Sequence, residues 1–371
     1  MKILHIGDLH LGKKIGGYSL IEDQKYFLNE TIKFMKDREI SHLIMAGDIY
    51  DISTPSGEAI ILFSNFLNDL KDNNIKAFII SGNHDSKARI GYGNKLISAS
   101  GIYINSSIED AINPITVDGI NYYLIPYTSS AEINSVFSES FKEYEDAMKY
   151  VISKMNIDKT KVNIAISHQL VLHDGVLPER GNSEEPVIGT IQNISSSVYQ
   201  DFTYTALGHI HRPQNVKSNI RYCGSPFPYH IDETQYQKTF TILEVNDGKV
   251  SVTEEEIKPL RDTVKIEDTF ENIINNYKKN KNDYVYAVIT DEDRPNAMGI
   301  LKEAYPYIIN LRYKRKEVAG VDIENKIQNI ETISYEDLFA SFYLDQTGDE
   351  LTDFQKELVE KLIKEGDNDE D

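Results

Sequence analysis

Five short segments carry most of the chemistry available to this chain. They are Asp8-Leu9-His10, Gly47-Asp48, Gly82-Asn83-His84-Asp85, His168 and Gly208-His209-Ile210-His211. Carboxylate, imidazole and amide oxygens are hard-to-borderline donors, suited to manganese, iron or zinc and unsuited to copper(I). The single cysteine, Cys223, excludes both an internal disulfide and a thiolate-built zinc site. The donors Asp8, His10, Asp48, Asn83, His168, His209 and His211 can serve two cations only if one of them is shared. Asp48 stands alone in its segment and can offer one oxygen to each ion, so it is the natural bridge. Two cations about 3.5–4 Å apart can clamp a phosphate, activate a water and neutralise a leaving oxygen. Each segment alone has a plainer explanation: Gly-Asp marks ordinary turns, and a histidine after a strand is more often packed than ligating. Their joint occurrence, each at the end of a strand-like run, points to one metal centre.

Those runs must position the donors. Residues 3–6, 41–46, 75–80, 162–166 and 203–207 are short and rich in Ile, Leu and Val, as buried strands of an α/β sheet are. Amphipathic stretches at 22–36 and 58–71 read as helices between them. Ligands in open α/β sheets gather beyond the carboxyl ends of the strands, so five strand ends would converge on one crevice. After Asp201 the pattern turns to β, with strands at 220–223, 239–245 and 250–257 and a hairpin signal at Asp247-Gly248. The first 265 residues therefore predict an α/β domain with two sheets. A strand at 283–290, a helix at 295–304 and a strand at 307–313 predict a separate small α/β domain, 266–332. Residues 333–371 hold two helical patterns broken by Gln346-Thr347-Gly348 and an acidic tail. Their apolar stripes are Leu338, Phe339, Phe342 and Tyr343, then Phe354, Leu358, Leu362 and Ile363.

Composition sets limits on partners. Of 371 residues, 39 are Lys or Arg and 59 Asp or Glu, a formal charge of −20 that argues against non-specific nucleic-acid binding. The distribution softens that conclusion, because 364–371 is an acidic tail and 312–316 a basic run. Cations held by carboxylates also invert the local field. No run of about 18 apolar residues and no leader pattern occurs, so the expectation is a cytoplasmic protein with no membrane span. The lone cysteine suits a reducing compartment.

As motifs, GDLH, GDIYD, GNHD, SHQ and GHIH resemble the calcineurin-like metallophosphoesterase superfamily, whose fold is a two-sheet sandwich flanked by helices. Segments 11–24, 206–214 and 223–233 extend the likeness over nearly the whole chain to the Mre-type nucleases, specifically the bacterial SbcCD-type branch. The resemblance implies two Mn2+ ions, one held by Asp8, His10, Asp48 and His211, the other by Asp48, Asn83, His168 and His209. It makes His84 the non-ligand catalytic residue that steadies or protonates the leaving oxygen, with Asp85 as the partner that orients it. Asp51 stands where archaeal and eukaryotic relatives carry a second histidine, which leaves the group on that side of the phosphate to be found. Lys13, Lys14, Arg89 and Arg212 lie near the metal motifs and are candidates for phosphate contact.

The resemblance also makes 266–332 a DNA-facing cap. Its Lys278, Lys279, Lys281, Arg312, Lys314 and Arg315 fit phosphate contacts and a solvated surface equally well. The tail stripes could fold back on the main body or dock on partner helices. The resemblance favours the second, with Leu338, Phe339, Phe342, Phe354, Leu358 and Leu362 against an SbcC-type, SMC-like ATPase in a two-plus-two complex. The implied activity is Mn-dependent double-strand exonuclease and single-strand or hairpin endonuclease. A phosphatase or small-molecule phosphodiesterase is the alternative, disfavoured because Asp51 is followed by Ile52-Ser53 and not by the Arg-Gly of protein phosphatases. A dead scaffold is disfavoured because every donor and His84 is present. His5, His42 and His173 match no ligand position and read as structural, while His230 follows the GSP loop and stays open.

Overall fold

A computed structural model describes residues 1–181, 192–314, 339–340, 343 and 351–366. Two six-stranded mixed sheets form its centre. The first runs Lys249–Glu256, Thr239–Asn246, Lys2–Ile6, His42–Ala46, Lys76–Ile80, Ile102–Asn105; the last four strands are mutually parallel. The second runs Gln214–Lys217, Ile220–Tyr222, Tyr204–Leu207, Val162–Ser167, Ile120–Ile125, Ile115–Val117, parallel through its four central strands.

Alternation along the strands decides which face goes where. Ile3, Ile44, Ala46, Phe78 and Ile80 of the first sheet meet Tyr122, Leu124, Ile164, Ile166, Tyr204 and Ala206 of the second. The neighbouring residues Leu4, Leu43, Met45, Ala77 and Ile79 point the other way, onto helices Ile21–Asp37 and Gly57–Asp72 through Phe27, Met35, Phe63 and Phe66. On the far side, Tyr123, Ile125, Ala165 and Leu207 pack on Ile133 of helix Ser130–Phe137 and on Met148 and Val151 of helix Tyr144–Ser153. Both faces of each sheet are therefore covered, which is why the central strands are predominantly apolar, with the few polar residues among them, such as His5, His42, Asn121 and Asn163, buried as well. The expected two-sheet sandwich flanked by helices is what the chain forms.

The small unit is a three-stranded parallel sheet, Thr263–Asp268, Tyr284–Ile289, Ile308–Tyr313, with helices Phe270–Asn276 and Ala297–Ala304 and a core of its own. The helix expected from residue 295 starts two residues later, because Asn296 takes a left-handed φ of 57°. This unit meets the sandwich at Asp23, fully buried, whose Oδ2 accepts from Tyr284 Oη at 2.8 Å and Arg261 Nη1 at 2.9 Å. The next residue, Gln24, reaches the opposite way. Its side chain donates to the carbonyls of Leu9 and His10 and accepts from Gly12 N.

The tail helix runs Asp353–Gly366 with Phe354, Leu358 and Leu362 exposed; Phe339 is exposed as well. Leu338, Phe342 and Arg315 lie outside the described residues. No helix of the described residues is long and apolar enough to cross a membrane.

Candidate metal centre

The donors leave the C-terminal ends of five strands, three in the first sheet and two in the second. Asp8 and His10 follow Lys2–Ile6, Asp48 follows His42–Ala46, and Asn83 and His84 follow Lys76–Ile80. His168 follows Val162–Ser167, and His209 and His211 follow Tyr204–Leu207. All five segments meet in one cluster. Asp8, His10 and His211 present ligand atoms within 4.8 Å of one another, as do Asp8, Asp48 and His168, and His10, Asp48 and His84. The turns that achieve this are costly. Asp8, His10, Asp48 and His209 take positive φ values of 52°, 44°, 49° and 93°, a region where a non-glycine residue costs on the order of 1–3 kcal/mol. Gly82 is required by close approach: a Cβ there would lie 2.1 Å from Asp48 Oδ1.

The hydrogen bonds define what the centre is shaped for. His10 Nε2 and His211 Nε2 stand 3.2 Å apart. His211 donates from Nδ1 to Glu233 Oε1 at 3.2 Å, and His10 Nδ1 faces Asp51 Oδ1 at 3.4 Å. The Glu233 carboxylate at His211 Nδ1 favours the ring proton there, and Asp51 favours the same tautomer at His10, so both Nε2 atoms face one another across the same space. A cation placed between them would take a lone pair from each. Asp8 points the same way, with Oδ1 accepting from His209 N at 2.8 Å and the buried Oδ2 without a hydrogen-bond partner.

The second half is built likewise. His168 donates from Nδ1 to Ala46 O at 2.7 Å, and its Nε2 faces Asn83 Oδ1 at 3.0 Å and Asp48 Oδ2 at 3.3 Å. His209 Nδ1 lies 3.2 Å from the same Asn83 oxygen. Asp48 sits between the halves: Oδ1 accepts from His84 N, while Oδ2 lies 3.7 Å from His10 Nε2 and 3.3 Å from His168 Nε2. Orphaned oxygens and opposed lone pairs of this kind fit two divalent cations sharing Asp48.

Burial and charge compete at each group. Burial pushes the Asp8 carboxyl up to about 6. Burial opposes ionisation of Asp48 as well, but the charge and hydrogen bond of His168, with His10 and His84, outweigh it and hold Asp48 well below the usual range. The same carboxylates raise His168 to about 9 against its own desolvation. Burial lowers His10 to about 4 and His209 to about 3. His168 thus carries a proton where a cation would sit, while His10 and His209 stay neutral and able to ligate.

His84 differs from the donors in being exposed. Its Nδ1 donates to Asp51 O at 2.8 Å, which turns Nε2 toward the cluster, 4.0 Å from Asp48 Oδ2. The expectation that Asp85 orients His84 is overturned. Asp85 is buried and accepts from the backbone N–H groups of Ile49, Tyr50 and Gly82, tying two ligand turns together; the orienting contact is the Asp51 carbonyl. Asp51 also holds Lys13 through a 2.7 Å ion pair, so the position lacking a second histidine anchors His10, His84 and Lys13 at once.

Lys13 is therefore at the rim of the cluster, and Lys14 is exposed on the adjoining hairpin. Arg89 donates to Ser53 O and Thr54 Oγ1, bracing the loop after Asp51. Arg212 pairs with Glu179 and stacks 5.2 Å from the Tyr236 ring. Of the cap cations, Lys278, Lys279, Lys281 and Arg312 are exposed, and Lys314 pairs with Glu267. His42 bridges Tyr122 and Asp118, His5 lies buried against Tyr204, and His230 caps the turn Ile231–Gln235 through Asp232 N; none joins the cluster. Sequence reasoning missed Glu233, Lys238, Gln24 and Tyr229, the last donating from Oη to the carbonyls of Asp8 at 3.1 Å and Leu9 at 2.8 Å. Glu233 and Tyr229 lie inside 223–233, but nothing in a charged, loop-like string marks one Glu as fully buried.

Comparison with known proteins agrees with this geometry. Residues 1–213 match the family model for calcineurin-like phosphoesterase, and 259–347 match that for the type 5 capsule protein repressor C-terminal domain. The D subunit of nuclease SbcCD from Staphylococcus saprophyticus is 32% identical over 98% of both chains. The protein of the same name from Staphylococcus epidermidis is also 32% identical, again over 98% of each. The crystal structure of TT1561 of Thermus thermophilus covers 68% of this chain and 98% of that one at TM-score 0.42 and 10% identity. That likeness is too distant to add to the sequence relatives.

Proposed function

The chain belongs to the calcineurin-like phosphoesterases, and within them to the nuclease subunits of SbcCD-type complexes; from that premise we propose how its residues cut DNA. It is a phosphodiester hydrolase. The observation that carries the proposed site is the opposed Nε2 pair of His10 and His211 beside the orphaned Asp8 oxygen. Asp8, His10, Asp48 and His211 would hold one divalent cation, and Asp48, Asn83, His168 and His209 the other, with Mn2+ the proposed resident metal. When bound, the two cations supply Lewis-acid activation of the phosphate and of a water.

The chain's own groups do the rest. Asp48 fixes the spacing of the two halves. His84, the exposed ring with its Nδ1 pinned, presents Nε2 to the leaving oxygen and steadies or protonates it. Lys13, with Lys14, Arg89 and Arg212, meets the flanking phosphates. Residues 1–265 form the nuclease domain and 266–332 the cap over the DNA. Segment 333–371 docks Phe339, Phe354, Leu358 and Leu362, together with Leu338 and Phe342, on an SbcC-type, SMC-like ATPase in a two-plus-two complex. The activity is exonuclease on duplex and endonuclease on single strands and hairpins, in cytoplasmic DNA end processing, repair and recombination. The exposed stripe of the tail helix supports the docking, since it needs a cover that the described residues do not give it.

The test is cleavage of end-labelled duplex and hairpin DNA with manganese, with and without the ATPase and ATP, for wild type and His84→Gln. Wild type should cut and respond to the ATPase, while His84→Gln keeps both cations and loses cleavage. Hydrolysis of a small phosphodiester with no cutting of DNA under any condition would move the reading to another phosphodiesterase.

A further inference from the structure

We propose that Glu233 and Lys238 are positioning residues that fix the ring of His211 for cation binding, and that the small α/β unit is seated on the turn that carries Glu233. The inference rests on the two-cation reading above. Glu233 is fully buried and Lys238 is 6% exposed, and no apolar core could hold either charge singly. They satisfy each other: Lys238 Nζ lies 2.5 Å from Glu233 Oε2 and also donates to Ser225 Oγ at 2.8 Å and His211 O at 3.0 Å. The other carboxylate oxygen, Oε1, receives the Nδ1 proton of His211 at 3.2 Å. The ring is thus held at Nδ1 by Glu233 and its own backbone carbonyl by Lys238, which leaves Nε2 no orientation but the one toward His10.

Two features make this a device for the ring and not general packing. The contact selects one tautomer, and the tautomer decides whether Nε2 offers a lone pair to a cation. The pair also sits at a boundary. Glu233 lies in the turn Ile231–Gln235, which packs against Thr263–Asp268, the first strand of the small unit. Thr234, Gln235, Tyr236 and Lys238 line a cleft together with Thr263, Val264 and Lys265 of the small unit's first strand. The small unit therefore presses on the same turn that aims the ligand.

The experiment uses the full chain stripped of metal and reloaded with Co2+, whose visible spectrum reports each ion's coordination independently of DNA cleavage. Glu233→Leu/Lys238→Met removes the pair without leaving a lone buried charge. Glu233→Gln/Lys238→Met keeps an oxygen that can accept the Nδ1 proton. The expected result is that the Leu/Met variant binds one Co2+ as wild type does and the other about 10–100-fold more weakly. The Gln/Met variant should recover most of that loss. A Leu/Met variant with two wild-type affinities and an unchanged spectrum overturns the proposal. Wild type that binds no Co2+ at all overturns the two-cation reading instead. Should the Leu/Met variant not fold, 15N chemical shifts of metal-free wild type decide, with the His211 ring assigned by the signal lost in His211→Gln. An Nδ1–H tautomer supports the proposal and an Nε2–H tautomer refutes it.

Discussion

Adding one methyl group at Gly82 should damage the metal centre more than its size suggests. The Cβ of Gly82→Ala would stand 2.1 Å from Asp48 Oδ1, 2.4 Å from Asp48 N and 2.7 Å from Asp48 Cγ, against 3.4–4 Å for ordinary contact. The neighbour cannot simply yield. Asp48 Oδ1 is engaged by His84 N, and Gly82 N is itself held by Asp85 Oδ2 at 2.9 Å. Overpacking of this kind costs about 1–3 kcal/mol, which lowers the melting temperature by roughly 1–5 °C in a chain of this size. The larger effect falls on binding, because the carboxylate that must move is the shared one. Loss of at least tenfold in affinity for both cations is expected. Gly57→Ala is the control: nothing lies within 4 Å of its Cβ position, at the first residue of a helix capped by the Ser56 side chain. It should leave cation binding unchanged and stabilise the fold by about 0.5–1 kcal/mol. Calorimetric titration with Mn2+ and thermal unfolding in chelator read both. A Gly82→Ala protein with unchanged melting temperature and two wild-type sites would refute the packing argument and the central place of Asp48 together.

Asp48→Ala should abolish cation binding and DNA cleavage in step, read by metal analysis beside a rate assay; residual two-cation binding would end its assignment as the bridge. The metal-free protein should lose stability as pH rises from about 7 to above 9. His168 is raised to about 9, so the folded chain holds a proton that the unfolded chain releases near 6.5; that stabilisation is complete below 6.5 and lost through 9. Unfolding in chelator at pH 7 and 9.5 tests it, and a flat profile counts against a charged His168. Replacing Phe354, Leu358 and Leu362 together by Ser should weaken association with the ATPase while leaving cation affinity as it was, measured by co-purification and titration; undiminished co-purification would remove the tail from the interface.

The donor segments could be read from sequence because each follows an apolar strand, and at Asp8, Asp48, Asn83 and His209 a glycine stands immediately before the donor; His168 was marked by its strand alone. What surrounds them could not be read the same way. Asp85 adjoins His84 in sequence, yet in a tight turn neighbouring side chains diverge, and the carboxylate goes inward to backbone N–H groups. The groups that aim the rings come from far along the chain, Glu233 to His211 and Asp51 to His10, a relation that no spacing rule encodes. The sandwich was legible in its apolar strands, whereas Ile120–Ile125 was not, since Asn121 and two tyrosines hide a strand buried on both faces. Helices Ser130–Phe137 and Tyr144–Ser153 escaped for the same reason: short, mixed segments whose burial depends on the sheet beneath them.

The left-handed backbone at Asp8, His10, Asp48 and His209 has a consequence for how such a protein changes over generations. These are places where glycine or asparagine would suit the chain better, so the fold alone gives no reason to keep aspartate or histidine there. A lineage released from the demand for catalysis could gain robustness by drifting at these four positions first. Their side chains therefore record selection on reactivity, whereas an apolar residue such as Ile44 records only the need to fold.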